Sequence, residues 1–294
     1  MQIKLADIFS LNDAYSTTRR VTKIAPEFDG VLLCPENVQQ GGLRTNGLFK
    51  LSKKEKPLIT IVTVVYNGAD FLEETIKSVI SQSYDNVEYI IVDGGSTDET
   101  LDIIRKYNDV IDYWISEKDA GVYYAMNKAE RLSSGDFLNF MNAGDLIFSD
   151  NVLEEMSEKM LSSSAILYGD SVIINDDKKL WMKAKAFSRL NLLLWSTRVV
   201  CHQSMFVRKS IFPEYDTRYA LKAELDWYFQ LLEEKNVASY TNTPVCIYSL
   251  GGISDRLFKL EMTETIAVMF RRFSFLTVVH APVFLYKIVR RVLK

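Results

Sequence analysis

One stretch of thirteen residues organises this sequence: Ser133-Ser134-Gly135-Asp136-Phe137-Leu138-Asn139-Phe140-Met141-Asn142-Ala143-Gly144-Asp145. It begins as a turn, continues as a short apolar strand and ends in a polar cluster. A sheet strand here delivers Asn142 and Asp145 to its carboxyl end, the edge where open α/β sheets hold their ligands. A carboxylate buried at that edge is costly unless it meets a cation or good donors, so Asp145 is a candidate metal ligand. The alternative is a helix cap, because residues 149–151 and a helical run at 152–160 follow.

The residues upstream of this stretch alternate between strand and helix patterns. Strands are predicted at 58–65, 87–92 and 110–115, and helices at about 71–82, 99–107 and 122–132. The first strand run is β-branched without polar alternation, which is typical of a parallel strand buried on both faces. Because a βαβαβ alternation implies a parallel sheet with right-handed crossovers, residues 133–145 supply the fourth strand of an α/β fold.

The residues downstream carry weaker patterns. Paired strands are predicted at 165–170 and 171–174, a strand at 199–207, a helix that begins at 223 and a strand at 245–248. The strand at 199–207 carries His202 and Gln203. Residues 179–194 are basic and apolar and match neither the helix period nor the strand period, so their secondary structure stays unassigned.

The composition excludes several classes of protein. The chain has 294 residues, of which 48% are hydrophobic and 25% charged, as in one large globular domain or a domain with appendages. A formal net charge of −3 argues against nucleic acid as a partner, because no bulk positive charge is available to displace phosphate counterions. No stretch approaches the roughly 20 apolar residues of a spanning helix, and the N-terminus lacks a signal-peptide run. We therefore expect a cytoplasmic protein, with Cys34, Cys201 and Cys246 as reduced thiols or core residues.

The two ends of the chain differ from the α/β part, which we place at residues 57–255. Residues 1–56 lack a steady period and predict an N-terminal arm packed on that domain, with a weakly ordered lead-in as the alternative. Residues 256–294 predict a helical tail. The tail joins bulky apolar residues to a basic set: Arg271, Arg272, Lys287, Arg290, Arg291 and Lys294. This pattern favours an amphipathic helix on an anionic membrane surface; a helix docked on the domain and a dimer contact between C-terminal helices are the alternatives.

The turn Asp93-Gly94-Gly95-Ser96-Thr97-Asp98 ends the second strand and starts a helix. Glycines there let the backbone approach a ligand, and Asp93 can accept a hydrogen bond from a base or ribose. The spacing is neither a dinucleotide fingerprint nor a P-loop, because the three-glycine pattern is missing and no Gly-Lys-Ser/Thr follows. A glycine turn with a helix cap is the alternative.

Asp119, Asn142 and Asp145 all fall at predicted strand ends. Together they would converge on one divalent ion and a diphosphate, and Mg²⁺ or Mn²⁺ suits oxygen ligands of this kind. Taken singly, each of them fits a cap or a turn better.

Glu224 and Asp226 lie two residues apart, so on a helix their side chains diverge by about 200° and only one can point into a pocket. A carboxylate whose pKa is raised in an apolar cleft is a usable general base. The alternative is a pair of carboxylates that favour the first turn of a helix. His202 is one of two histidines, and a lone strand histidine is more often structural than a zinc ligand.

Five motifs occur in the order and spacing of a known family. They are Thr63-Val64-Val65-Tyr66-Asn67, Val92-Asp93-Gly94-Gly95-Ser96-Thr97-Asp98, Glu117-Lys118-Asp119-Ala120-Gly121, Ala125-Met126-Asn127-Lys128-Ala129 and Ser134-Gly135-Asp136. Cys201-His202-Gln203-Ser204-Met205-Phe206 and Ala223-Glu224-Leu225-Asp226 extend the match. Over about residues 57–252 the sequence resembles the family-2 glycosyltransferases. It looks most like the bacterial branch that builds O-antigen, capsule and colanic-acid polysaccharides.

The resemblance implies a GT-A fold, which is a Rossmann-like, mostly parallel sheet flanked by helices. It also implies a nucleotide-diphosphate sugar as the donor and Mn²⁺ or Mg²⁺ as the metal. By similarity, the residues that bind the nucleotide-sugar would be Thr63, Val65, Asn67, Asp93, Asp119, Asn127 and Asn142. Asp93 would face the base, and Asp119 would lie near the ribose or diphosphate.

The same resemblance assigns the chemical roles. Glu224 would be the catalytic base with Asp226 supporting it, and direct displacement would invert the anomeric carbon. His202 and Gln203 would line the acceptor or donor pocket, and Asp145 would be the metal ligand.

The chain departs from the family at the metal segment. Relatives often read Asn-Ser-Asp-Asp where this chain has Asn142-Ala143-Gly144-Asp145, so one carboxylate is absent. Either Asp145 alone holds the metal together with diphosphate oxygens, or metal dependence is weak. The base is also a glutamate where an aspartate is common.

The sequence therefore favours an inverting glycosyltransferase that moves one sugar, with a UDP-sugar preferred, to a lipid-linked polysaccharide intermediate. It would work in the cytoplasm, peripherally at the inner face of the plasma membrane. A non-catalytic sugar-nucleotide-binding or scaffold subunit is the alternative, supported by Gly144 alone. A nucleotidyltransferase is disfavoured, because no glycine-rich phosphate loop with a following basic residue lies near the first strand.

Overall fold

A computed structural model describes residues 15–25, 38–162, 164–175, 178–233, 236–249 and 257–274. The strands are β1 (Gln39–Gly41), β2 (Ile59–Val65), β3 (Val87–Asp93), β4 (Tyr113–Ser116), β5 (Phe137–Phe140), β6 (Leu146–Ile147), β7 (Ile166–Asn175), β8 (Lys178–Met182), β9 (Met205–Arg208) and β10 (Ala238–Ser249). The helices are α1 (Ala69–Ile80), α2 (Thr100–Lys106), α3 (Val122–Leu132), α4 (Val152–Met160), α5 (Arg189–Trp195), α6 (Ala223–Glu233) and α7 (Phe258–Phe273).

In the described part of the chain these strands form one sheet in the order β1-β4-β3-β2-β5-β9-β7-β10-β6, and β8 pairs with β7. The central strands β4, β3, β2 and β5 are all parallel, as the βαβαβ pattern predicted. Antiparallel pairs then extend the sheet on both sides. The carboxyl ends of the four parallel strands meet at one edge, and the candidate site lies there.

The side chains of β2 show why this strand has no polar alternation. Val62 and Val64 contribute to one apolar cluster, whereas Ile59 and Ile61 contribute to another. Successive side chains of a strand point to opposite faces, so the sheet is covered on both sides. Helices α3, α5, α6 and α7 supply the first cluster, and α1, α2 and α4 supply the second.

Several downstream predictions differ from the structure. Residues 166–175 form the single long strand β7 rather than two paired strands, and β7 pairs with β8, β9 and β10. His202 lies in a 3-10 turn before β9, not on the strand itself. The unassigned segment contains β8 and α5. Strand and helix periods are hard to separate in short segments, because tertiary pairing decides them.

Part of the predicted N-terminal arm belongs to the sheet. Strand β1 pairs antiparallel with β4 at its edge. Two buried ion pairs follow: Arg44 with Glu88, and Lys50 with Asp112. The carboxylate of Asp112 also accepts a hydrogen bond from the backbone N–H of Tyr89 at 2.8 Å. Charged contacts thus hold residues 38–56 onto β3 and the start of β4.

We expect Lys50→Met to lower the free energy of unfolding by about 3–5 kcal/mol, because it leaves the Asp112 carboxylate buried without its cation. The double variant Lys50→Met/Asp112→Asn should recover most of that loss, since an asparagine oxygen can still accept from Tyr89. Urea unfolding of each variant measures this, with the exposed Lys53→Met as control. A Lys50→Met protein within 1 kcal/mol of the parent would contradict the expectation.

Helix α7, the described part of the predicted tail, packs against α6. Arg272 Nε donates to Asp226 at 2.8 Å, and Arg271 is likewise paired with a carboxylate of the domain. The carboxylate of Glu264 accepts the backbone N–H groups of residues 220–222 just before α6. Arg271 and Arg272 are therefore not free to meet lipid headgroups, and residues 275–294 lie outside the described residues. None of the described helices has the length and apolar character needed to cross a bilayer.

Candidate active site

The loops that follow β2 and β3 are joined at the carboxyl edge of the sheet. Asn67, at a left-handed φ of +48°, accepts the backbone N–H of Thr97 at 2.8 Å. The N–H of Asn67 donates to Ser96 Oγ at 2.7 Å. The carbonyl of Val65 accepts the N–H of Gly94 at 2.9 Å. Two residues of the predicted donor set, Val65 and Asn67, thus belong to one pair of loops at the edge where such folds bind ligands.

Asp93 is fully buried beneath these loops. Its carboxylate accepts the backbone N–H of Ser96 at 3.1 Å and the hydroxyl of Ser116 at 2.6 Å, and the hydroxyl of Ser96 donates to its other oxygen. With both oxygens bonded, Asp93 builds the glycine turn. The short aspartate side chain is thus satisfied within its own turn. Its contact with the base stays a prediction.

Thr63 and Asn127 are also buried and engaged within the protein. Thr63 Oγ1 donates to the carbonyl of Met141 at 2.7 Å, which joins β2 to the end of β5. The side-chain amide of Asn127 donates to the carbonyl of Tyr215 at 2.9 Å and accepts its N–H at 2.8 Å. Both side chains are thus hydrogen-bonded within the protein, as buried polar groups usually are. Their contacts with the donor stay predictions.

Asp119 remains partly exposed beside the glycine turn. Its Oδ1 accepts the N–H of Gly121 at 2.9 Å. A Cβ at Gly94 would lie 3.0 Å from Asp119 Oδ2, so the absence of a side chain at Gly94 allows the two loops to meet. Asp119 is therefore the carboxylate of the predicted donor set that faces the surface of the turn.

Five polar residues form a second group at the same edge, which we call the site cluster: Asn142, Asp145, His202, Gln203 and Glu224. Its core is a chain of three side chains. His202 Nδ1 lies 2.9 Å from Glu224 Oε2, and His202 Nε2 lies 3.3 Å from Asn142 Nδ2. His202 Nδ1 donates to the Glu224 carboxylate, because an ionised carboxylate only accepts. The side chains of His202 and Glu224 remain 13% and 18% exposed, so a ligand can reach them.

Asp145 is held beside this chain. Gln203 Nε2 donates to Asp145 Oδ2 at 2.7 Å. Thr75 Oγ1 donates to the carbonyl of Asp145 at 2.9 Å and accepts the N–H of Gly144, whose φ is +96°. Burial raises the pKa of Asp145 to about 6, although the hydrogen bond from Gln203 and the charge of His202 oppose the rise. Asp145 is thus a carboxylate that lacks a cationic partner strong enough to offset its burial.

Asp145 and Asn142 offer oxygen atoms to a divalent cation. Among the described residues, no three histidine, cysteine or carboxylate side chains gather into a closed metal site. The Oδ1 of Asn142 is buried and has no hydrogen-bond partner within the described ranges. The cap alternative does not apply to Asp145, since the N-cap residue of α4 is Asn151. Mg²⁺ binds through one or two carboxylates plus waters and substrate phosphates, so these residues fit a metal shared with a donor.

The pKa of Glu224 lies below its ordinary value. Burial alone would raise the pKa, but the hydrogen bond and charge of His202 and the charge of Lys222 outweigh it. Lys222 Nζ lies 3.9 Å from Glu224 Oε1. The surroundings of Glu224 are therefore not the apolar cleft that would raise the pKa of a base. Glu224 is ionised at neutral pH and can accept a proton, as a weaker base than an apolar cleft would make it.

Asp226 turns away from the site cluster, as the helical divergence from Glu224 predicted. Its carboxylate is 1% exposed, accepts from Arg272, and accepts from Gln230 Nε2 at 3.0 Å. The structure thus gives Asp226 a contact between α6 and α7, and no contact with the cluster.

Sequence reasoning missed Tyr66, Thr75 and Lys222. Tyr66 is 65% exposed at the carboxyl end of β2, and its place in the first motif was an available signal. Thr75 supports Asp145 from α1, seventy residues earlier in the chain, and no local pattern marks it. Lys222 comes next to Glu224 only because the chain turns into α6 there.

Comparison with known proteins bears on this site. The profile of the family described as "Glycosyl transferase family 2" matches residues 60–216. A "PGL/p-HBAD biosynthesis glycosyltransferase" of Mycobacterium bovis (strain BCG / Pasteur 1173P2) is 30% identical over 227 residues, which cover 73% of this chain and 86% of that protein.

Two solved structures share the fold. Staphylococcus aureus TarS 1-349 in complex with UDP superposes with a TM-score of 0.56 at 15% identity, over 72% of this chain and 65% of that one. Mannosyltransferase PcManGT from Pyrobaculum calidifontis, in complex with GDP-Man and Mn2+, superposes with a TM-score of 0.55 at 17% identity, over 77% and 69%. The chain thus spans about two thirds of each of these structures. The likeness confirms the fold that the sequence predicted.

Proposed function

Because the chain belongs to glycosyl transferase family 2 and has the GT-A fold, we propose that it is an inverting glycosyltransferase. It would move a hexosyl or N-acetylhexosaminyl group from a nucleotide-diphosphate sugar, with UDP-sugars favoured, to a lipid-linked intermediate of a cell-surface polysaccharide. The observation that carries the proposal is the contact chain from Asn142 through His202 to Glu224, set beside Asp145 at the carboxyl edge of the sheet.

The joined loops after β2 and β3 would receive the nucleotide. Asn67 and Asp119 line these loops, and the backbone of Val65 anchors them. The exposed ring of Tyr66 offers a face on which a base can stack. Asp93 shapes the loops from below rather than touching the donor. Support for this reading comes from the exposed side chains of Asn67 and Tyr66, the partly exposed Asp119 and the buried Asp93.

Asp145 and the unpaired Oδ1 of Asn142 would hold a divalent metal, Mn²⁺ or Mg²⁺, together with the donor diphosphate. A metal held there would neutralise charge on the leaving diphosphate. Gln203 keeps the Asp145 carboxylate turned toward that place, and Thr75 supports its backbone. In place of the absent carboxylate at Gly144, the amide oxygen of Asn142 and the donor's own phosphates would complete the ligand set.

Glu224 would be the general base. The acceptor hydroxyl gives its proton to Glu224 as its oxygen bonds to the anomeric carbon, and the bond to the diphosphate breaks on the opposite face. One displacement of this kind inverts the configuration. His202 donates to Glu224 Oε2 and so leaves Oε1 for the acceptor. Asp226 is a positioning residue that ties α6 to Arg272.

The acceptor would be a glycan intermediate carried on a membrane lipid, as in the O-antigen, capsule and colanic-acid branch that the motifs resemble. The enzyme would then work in the cytoplasm at the inner face of the plasma membrane. The tail beyond α7 is the part that we predicted to touch that membrane or a second copy of the chain. Its residues 275–294 lie outside the described part of the structure, so the proposal does not depend on them.

A donor screen tests the proposed function. The purified chain is heated with UDP-, GDP- and TDP-sugars, with and without Mn²⁺, and hydrolysis of the stabilising donor is then followed. We expect one nucleotide class to raise the melting temperature and its sugar to be released slowly. A chain that binds a donor but neither hydrolyses nor transfers it would be the scaffold subunit. A chain that binds none of them would contradict both readings.

The pH dependence of metal binding should report on Asp145. Its pKa of about 6 means that the carboxyl is protonated below pH 6, and a protonated carboxyl cannot bind a cation. Apparent Mn²⁺ affinity in the presence of donor should fall about tenfold per pH unit below 6 and level off above it. Mn²⁺-dependent thermal shifts between pH 5 and 8 measure this. An affinity that is flat from pH 5 to 7 would remove Asp145 from the metal site.

A further inference from the structure

Residues 178–198, which we call the basic-aromatic segment, carry a charge opposite to that of the whole chain. The segment comprises β8, the connection after it, α5 and the 3-10 turn at Ser196–Arg198. It holds no acidic residue, in a chain of formal net charge −3, and six basic ones: Lys178, Lys179, Lys183, Lys185, Arg189 and Arg198. Within the described ranges none of the six makes an ion pair.

The same segment exposes large apolar side chains. Trp181 and Leu190 are each 65% exposed, and Trp195 is 44% exposed. The other two of the four tryptophans in the chain, Trp114 and Trp227, are buried. Both exposed tryptophans therefore fall within the same 21 consecutive residues as the six basic side chains that make no ion pair.

Neighbouring side chains support both exposed rings. The ammonium group of Lys185 lies 4.4 Å from the ring centroid of Trp195. The ring of Trp181 packs against Phe148, with centroids 5.5 Å apart. A ring supported on one side and open on the other loses little side-chain entropy when its open side is covered. These contacts favour a built surface over two loosely exposed side chains.

The segment borders the site cluster. The N–H of Lys185 donates to the carbonyl of Val199 at 2.8 Å, and His202 follows three residues later. Phe148, the support of Trp181, follows Asp145 by three residues at the end of β6. A partner bound to the segment would therefore lie next to the site cluster.

We propose that the basic-aromatic segment docks on an anionic lipid surface and so presents the site cluster to an acceptor embedded in that surface. Tryptophan prefers the headgroup level of a bilayer, and apolar side chains of a surface helix such as Leu190 enter its boundary. Each lysine or arginine near an anionic surface strengthens binding about fivefold. The inference rests on the lipid-linked acceptor of the proposed function, and it assigns the docking to this segment rather than to the C-terminal tail.

Vesicle binding by the full chain tests the proposal. The protein is mixed with vesicles of phosphatidylcholine alone and with vesicles that also contain phosphatidylglycerol, and tryptophan emission and co-sedimentation are recorded. We expect a blue shift, and quenching by brominated lipid, with the anionic vesicles. Because the buried Trp114 and Trp227 cannot respond in this way, the optical signal reports the segment itself.

Substitutions then separate charge from apolar contact. Lys179→Gln/Lys183→Gln should weaken binding to anionic vesicles about 30-fold, which is the loss of two basic contacts. Trp181→Ala/Trp195→Ala should reduce co-sedimentation at least as much. The matched controls, Lys54→Gln and Leu161→Ala, change exposed residues elsewhere and should bind like the parent.

Three results would overturn the proposal. One is co-sedimentation without any change in tryptophan emission, which would assign binding to another part of the chain. Another is equal affinity for neutral and anionic vesicles. The third is a self-association of the free chain that the double tryptophan variant abolishes, without vesicle binding, which would assign the surface to a second copy. Donor hydrolysis is measured without vesicles, so a failure of docking and a failure of the proposed function give different results.

Discussion

Glu224→Gln should lower kcat of sugar transfer by about 10²–10⁴-fold, the usual contribution of a general base. The glutamine keeps the shape of the side chain and can still accept the hydrogen bond from His202 Nδ1, so the fold and the donor site should persist. What it loses is the ionised oxygen that receives the acceptor proton. Initial rates with saturating donor, together with the melting temperature of the variant, measure the effect.

A control on the same helix isolates this role. Glu233→Gln removes an exposed carboxylate at the end of α6 that pairs with Arg272, and an exposed pair contributes little to stability. It should keep nearly full activity. If Glu224→Gln also transferred sugar at the parent rate with an unchanged melting temperature, Glu224 would not be the base.

Asp145→Asn should lower kcat/KM by about 10²–10³-fold, because the metal contributes several kcal/mol to charge stabilisation at the leaving diphosphate. Asparagine can still accept the hydrogen bond from Gln203, so the segment should keep its shape. The asparagine side chain is neutral and therefore lacks the negative charge that attracts a metal cation. The Mn²⁺-dependent thermal shift should shrink in parallel with the activity.

Stability separates this effect from simple damage to the fold. Burial raises the pKa of Asp145 to about 6, so the ionised carboxylate costs the folded state free energy at neutral pH. The asparagine variant without metal should therefore unfold at a temperature equal to or above that of the parent. Asp150→Asn, five residues along in an exposed position, is the control and should change neither activity nor metal response. An active Asp145→Asn protein with an intact Mn²⁺ response would reject the metal assignment.

The central fold was predictable because its signals are local. The predicted strand at 58–65 and the predicted helix at 122–132 differ from the observed β2 and α3 by at most one residue. Their side chains are apolar at the period that each element requires, and no distant residue is needed to see it. Strand β7 was predicted as two paired strands. The partner of a strand is set by the tertiary structure, and no pattern within residues 165–174 identifies that partner.

The strand patterns alone place four polar residues at the carboxyl edge of the sheet: Asp93 ends its strand, and Asp119, Asn142 and Asp145 follow theirs. The contacts that these residues make there depend on the folded chain. Both carboxylate oxygens of Asp93 accept hydrogen bonds around its own turn, whereas Asp145 accepts one from Gln203, 58 residues away. The pKa of Glu224 falls because His202, 22 residues distant, donates to it. Partner, exposure and pKa depend on distances through space, whereas periodicity records only distances along the chain.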